Sequence, residues 1–115
     1  MKIINREQFL KMPPGTVYSK YTPCIFGPLA IKGETVSEAD WNVQPISDAI
    51  EFNNDTEFYE ILTDAQANGR SIRLDLECET RDGLFDHTDL FAVWEAGDVS
   101  LLIERMQKAL RTGYC

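Results

Sequence analysis

His87 is the only histidine of the chain and lies in Phe85-Asp-His-Thr-Asp89, between two carboxylates. Imidazole titrates near neutrality and nearby carboxylates favour its charged form, so this group reads as a general base. With Asp82, Asp86 and Asp89 it also reads as a ligand set for a divalent ion. The spacing matches neither an EF-hand nor a zinc motif, however, and a polar segment opening on Asp82-Gly83 is what a hairpin connection contains. No metal is expected. A nucleophile would need a base and an orienting third group. Cys24 with His87 is the one available pairing, and no Gly-Cys or Gly-x-Ser-x-Gly surroundings support it. The seven glycines stand singly, with no loop to cradle a phosphate. The chain therefore reads as a non-enzyme, with no catalytic residue and no cofactor.

The charged residues point to binding. Eight carboxylates and a single cation, Arg81, lie between Asp75 and Asp98. Ser71 to Glu79 alternates, which predicts a strand with Ile72, Leu74, Leu76 and Cys78 on a dry face and Asp75, Glu77 and Glu79 on a wet one. Alternate residues share a face about 7 Å apart, so this acidic row, with Asp82 beside it, is the first candidate for docking on a basic surface. It would serve equally as a solvated face that keeps a sheet soluble. A second candidate is Tyr18, Lys20 and Tyr21, with Arg6 and Lys11 nearby, the one concentration of cations and aromatic rings in an acidic chain.

These residues need a scaffold, and 115 residues with 43% apolar content suffice for one domain around one core. Eleven Lys and Arg against nineteen Asp and Glu give a net charge of −8, which repels phosphate backbones and anionic lipid. Direct binding to nucleic acid or membrane is not expected. The apolar runs are short and the start lacks the apolar region of a secretory signal, so a cytoplasmic protein is expected. Cys24, Cys78 and Cys115 match no zinc or disulfide framework and read as free thiols, the first two buried and the last exposed.

Asn5-Arg-Glu-Gln8 resembles a capping box and predicts a short helix that Pro13-Pro14-Gly15 ends. Thr16–Tyr21, Cys24–Phe26 and Leu29–Lys32 read as strands, Gly33-Glu34 as a turn, and Asp40–Gln44 as a strand with Trp41 and Val43 inward. Ser47–Phe52 fits one helical turn. Asn54 with Glu57 opens a helix over about Asp55–Ala67, which Asn68-Gly69 closes. Asp82-Gly83 suits a primed hairpin turn, Leu90–Trp94 a central strand, and Asp98 caps a helix over about 98–111. Its stripe of Val99, Leu102, Ile103, Met106, Ala109 and Leu110 is drawn for packing on the sheet or pairing with a copy of itself. The expected fold is α+β: a mainly antiparallel sheet of about 4–6 strands with two main helices packed on it and a short N-terminal helix.

Ile-Ile-Asn-Arg-Glu-Gln-Phe-Leu-Lys-Met-Pro-Pro-Gly-Thr-Val-Tyr-Ser-Lys-Tyr, then Phe-Gly-Pro-Leu-Ala-Ile-Lys-Gly, Arg-Asp-Gly-Leu-Phe-Asp and Leu-Phe-Ala-Val-Trp-Glu resemble a family of small uncharacterised proteins of tailed phages and prophages. The likeness spans most of the chain and brings no functional residues with it. It implies an accessory viral protein made in a bacterial cytoplasm. By analogy with compact acidic phage proteins, it would bind a host protein and antagonise host defence, for instance by inhibiting a CRISPR complex. The alternative is an oligomer that sequesters an anionic signalling nucleotide, with Lys20, Arg105 or Arg111 at a subunit junction.

Overall fold

The structure, a computed structural model, describes residues 1–84 and 86–114; Phe85 and Cys115, with the expected exposure of that last thiol, lie outside the described residues. Helix starts follow the capping signals. The Asn5 side chain accepts the Gln8 N–H at 2.9 Å and Gln8 Oε1 accepts the Asn5 N–H at 3.1 Å, opening α1 (Arg6–Leu10). The Asn54 side chain accepts the Glu57 N–H at 2.9 Å to open α2 (Asp55–Asn68), which Gly69 closes at φ +67°. The third helix, α3 (Ala96–Gly113), starts earlier than expected. Glu95 is its cap and donates its N–H to Asp98 Oδ2 at 2.9 Å, so Asp98 belongs to the first turn.

The strands are β1 (Lys2–Asn5), β2 (Val17–Thr22), β3 (Ile25–Phe26), β4 (Ala30–Val36), β5 (Asp40–Pro45), β6 (Thr80–Arg81) and β7 (Leu90–Val93). They form one sheet in the order β1-β7-β2-β4-β5-β6, with β3 on β2, and every strand pairing is antiparallel. The α+β class and the central place of Leu90–Val93 are as expected. The edge strand β1 is not anticipated, because four residues are too few to show a period.

β3 and β4 are two parts of one line of chain along β2. Thr22 faces Ile25 and Tyr18 faces Ala30, and Gly27 carries the bulge between them with its N–H on the Lys20 carbonyl at 2.8 Å. Gly33-Glu34 proves to be a second bulge rather than a turn, lying opposite Asn42 between the pairs Lys32–Val43 and Thr35–Trp41. The turn comes at Ser37-Glu38, whose φ angles of +55° and +59° are those of a primed turn without its usual Asn-Gly.

The predicted strand over Ser71–Glu79 does not form. Leu74 alone pairs, in a single bridge with Ile50. Asp75 Oδ1 then accepts the Glu77 N–H at 2.9 Å, an Asx turn that offers the backbone an alternative to a ladder. The predicted hairpin at Asp82-Gly83 is lost with it, since β6 pairs with β5 instead. Ser47–Phe52 is a turn followed by the bridging Ile50, not a helical turn.

The core is an aromatic cluster. Phe9 of α1 stacks on Phe91 of β7 with centroids 4.1 Å apart and planes 8° apart, and Trp41 and Tyr18 close around the pair at 5.0 and 4.6 Å from Phe9. Phe91 and Val93 are inward as expected, with Ala30 beside them. Of the other residues expected inward, Ile72 and Leu102 are half-buried and Leu74, Leu76, Ile103 and Met106 are each more than half exposed, and neither α2 nor α3 contributes a fully buried residue. Cys24, expected inside, is exposed at φ +67° in the β2–β3 turn, and Cys78 is half-buried.

Removing the stacked ring should cost most. Phe9→Ala is expected to destabilise by about 3–5 kcal/mol in urea unfolding followed by Trp41 fluorescence. Ser37→Asn with Glu38→Gly should instead stabilise by about 1 kcal/mol, because both positions sit where L side chains are strained.

Candidate interaction surface

The cation and aromatic concentration near the N-terminus is split by the fold: Tyr18 and Arg6 are buried, Lys20 and Tyr21 are half-buried, and Lys11 is exposed. Tyr18 is buried and its hydroxyl oxygen accepts the Trp41 Nε1–H at 3.0 Å. Lys20 pairs with Asp82 at 2.9 Å and lies 5.8 Å from the centre of the Trp41 ring. Tyr21 is half-buried, its hydroxyl oxygen accepting the Cys24 N–H at 3.0 Å and its ring against Phe26. Arg6 is buried with its guanidinium 4.8 Å from the Trp41 ring centre. It donates to the carbonyls of Ala39 and Leu84, each at 2.7 Å, and meets Asp89 at 3.4 Å. A cation over an aromatic face is stabilised by the ring quadrupole, and a guanidinium suits that place because it is planar and weakly hydrated.

Lys32 completes the set. Its ammonium, lowered in pKa by burial, donates to the Gly33 carbonyl at 3.1 Å and to Thr35 Oγ1 at 2.7 Å, and that hydroxyl donates to the Leu10 carbonyl at 2.8 Å. The last carbonyl of α1 is thereby tied to β4. No sequence signal marks Arg6 or Lys32 as clamps, since both look like surface cations until the sheet is assembled.

The His87 constellation comes apart in the same way. Asp89 faces Arg6. Asp86 accepts the Thr88 hydroxyl at 2.6 Å and its N–H at 2.9 Å, which holds its carboxyl below the usual range. His87 itself is exposed, beside a cleft shared with Asn5, Arg6 and Glu38. Among the described residues no group of three or more His, Cys, Asp or Glu side chains could hold a metal ion.

The acidic row is altered in form. Asp82 leaves it altogether: its side chain is 9% exposed in the Lys20 pair and its Oδ2 accepts the Leu84 N–H at 3.2 Å. Asp75 is half-buried; its N–H donates to the Ala49 carbonyl at 2.7 Å, and its own carbonyl accepts from Cys78 Sγ at 3.0 Å and Gln44 Nε2 at 3.2 Å. Glu77 is exposed, and Glu79, also exposed, rests its carboxylate against Gly33, where a Cβ would collide. Of the three cations considered for an anion site, Lys20 is paired with Asp82, while Arg105 and Arg111 belong to α3.

What the fold displays is therefore a strap. From Arg70 to Glu79 the chain follows α2 and edges a groove of about 590 Å³ whose lining mixes Ile50, Ile61, Ile72 and Leu74 with Arg70, Arg73, Asp75 and Glu77. Leu74, between Arg73 and Asp75, and Leu76, between Asp75 and Glu77, stand 53% and 55% exposed. Two apolar side chains are thus held in water by an anchored backbone, beside a groove whose rim carries both Arg70 and Arg73 and Asp75 and Glu77. No helix of the described residues is long and apolar enough to cross a membrane. Comparison with protein-family models, curated proteins and solved structures gives no match for the chain.

Burial pushes the Tyr18 hydroxyl up to about 12. The unfolded chain ionises the same group near 10, so the stability that neutral Tyr18 confers is intact below 10 and is lost as the pH rises to 12. Urea midpoints should fall over that window. Tyr18→Phe should lessen the fall while costing about 1–3 kcal/mol at neutral pH, because the Trp41 indole loses its acceptor.

Proposed function

We propose that the protein is a non-catalytic binding protein whose working surface is the strap from Arg70 to Glu79, and that its partner is a host protein carrying a basic surface with an apolar centre. The observation that carries this reading is the exposure of Leu74 and Leu76, 53% and 55%, with Leu76 between Asp75 and Glu77 and Leu74 between Arg73 and Asp75. A chain of charge −8 attracts basic surfaces over a distance, and the exposed leucines supply the area that contact then buries. The tether at Asp75 supports the same reading, because a loop held at its middle loses little conformational freedom when a partner docks. The likeness to small phage proteins supplies the context: a partner met in a bacterial cytoplasm, bound so as to block host defence. Asp89 faces Arg6 and Asp86 accepts from Thr88, so His87 has no base-and-orienter arrangement, which supports binding over catalysis.

A photocrosslinking side chain in place of Leu76 tests this in bacteria that express the protein. One host protein should be captured, and Glu77→Lys with Glu79→Lys should weaken its capture about tenfold, the equivalent of ~1.4 kcal/mol. Capture that ignores the reversed charges, or no protein adduct at all, would overturn the proposal.

A further inference from the structure

The chain exposes 8302 Å², whereas a folded chain of its 13.1 kDa is expected to expose about 6,400 Å², a surplus of about 1,900 Å². The radius of gyration, 15.9 Å, likewise exceeds the about 13 Å of a compact domain of this length. The longest helix contributes to the surplus along its whole length. None of the 18 residues of α3 is buried, and Ile103, Met106 and Leu110 are 52%, 61% and 64% exposed.

That exposure is organised. At 3.6 residues per turn the stripe from Val99 to Leu110 falls within an arc about 120° wide. Val99 and Met106 are one heptad apart, as are Leu102 and Ala109, which is the spacing of a seam between two helices. Charge agrees with the geometry. α3 holds Arg105, Lys108 and Arg111 against Asp98 and Glu104, so it is slightly basic within a chain of net charge −8. Elsewhere two copies would meet acid against acid.

We propose that α3 pairs with α3 of a second copy, seam to seam, to form a two-fold homodimer. A second copy fits because a self-complementary stripe needs only a symmetry axis. The surplus to which α3 contributes, shared with α2 and the strap, exceeds the about 800 Å² that a standard interface takes from each partner. The dimer is independent of the strap and of whatever the strap binds.

Light scattering after size exclusion should give twice the 13.1 kDa of one chain. Added salt should tighten the dimer, since it screens the repulsion between two acidic bodies while leaving an apolar seam intact. Ile103→Glu with Met106→Glu should halve the mass with Trp41 still buried. Leu101→Glu, on the opposite side of α3 and 65% exposed, should leave the mass doubled. Should the double variant lose Trp41 burial, hydrogen exchange of the unaltered protein decides instead: α3 amides more protected in concentrated than in dilute solution support the dimer, and equal protection overturns it. A single-chain mass for the unaltered protein, a dimer that survives the double variant, or one lost with Leu101→Glu also overturns it.

Discussion

The face-to-face contact of Phe9 with Phe91 holds a five-residue helix against the central strand of the sheet. A helix so short has no stability of its own, so α1 persists because its ring is stacked and its ends are tied. Around the stack, Trp41 and Tyr18 close the cluster, and three cations face its rings: Arg6 and Lys20 near Trp41, Lys32 near Phe9. Each cation then fastens a separate piece of chain. Arg6 holds the β4–β5 turn and the segment before β7, Lys20 holds Asp82, and Lys32 reaches α1 through Thr35. An aromatic core that draws charge inward is thus also the hub from which the loops are positioned.

Local chemistry was legible in the sequence wherever it is decided within a few residues. Asn5 with Gln8, Asn54 with Glu57 and Gly69 do what their types predict, and the strands around Tyr18, Trp41 and Phe91 lie where β-formers cluster. Ser71–Glu79 shows where periodicity stops being evidence. Its alternation is sound, but a strand needs an edge to join; β5 gives its free edge to Thr80–Arg81, and the Asp75 side chain takes the N–H that a ladder would have used. In α3 the period fixed the helix and the stripe without saying what the stripe faces. Tyr18 and Lys20 carry the opposite lesson: a cation beside a ring looks the same in sequence whether the pair lies at a surface or at the centre.

The two ends of the molecule differ in kind. Around the cluster the polar groups are satisfied by named partners, and among the described buried side chains only Gln44 Oε1 lacks one. Beyond it, α2, the strap and α3 have half-buried apolar residues such as Phe58, Ile61 and Leu102 and exposed ones such as Leu74, Leu76, Ile103 and Met106. The first region accounts for folding. The second has exposed area that folding leaves unexplained.

The pairing order of the sheet also bears on how the protein is made. β7 lies between β1 and β2, so β1 has no neighbour until β7, which follows all the other strands in the sequence, has been made. Phe9 likewise waits for Phe91, a contact that closes a long loop taking in β2 to β6 and α2. Synthesis therefore cannot complete the fold stepwise. The β2–β5 meander can assemble early, but β1 and α1 stay unanchored until Val93 clears the exit tunnel, and a chain stopped short of that point leaves a sheet with its central ladder open.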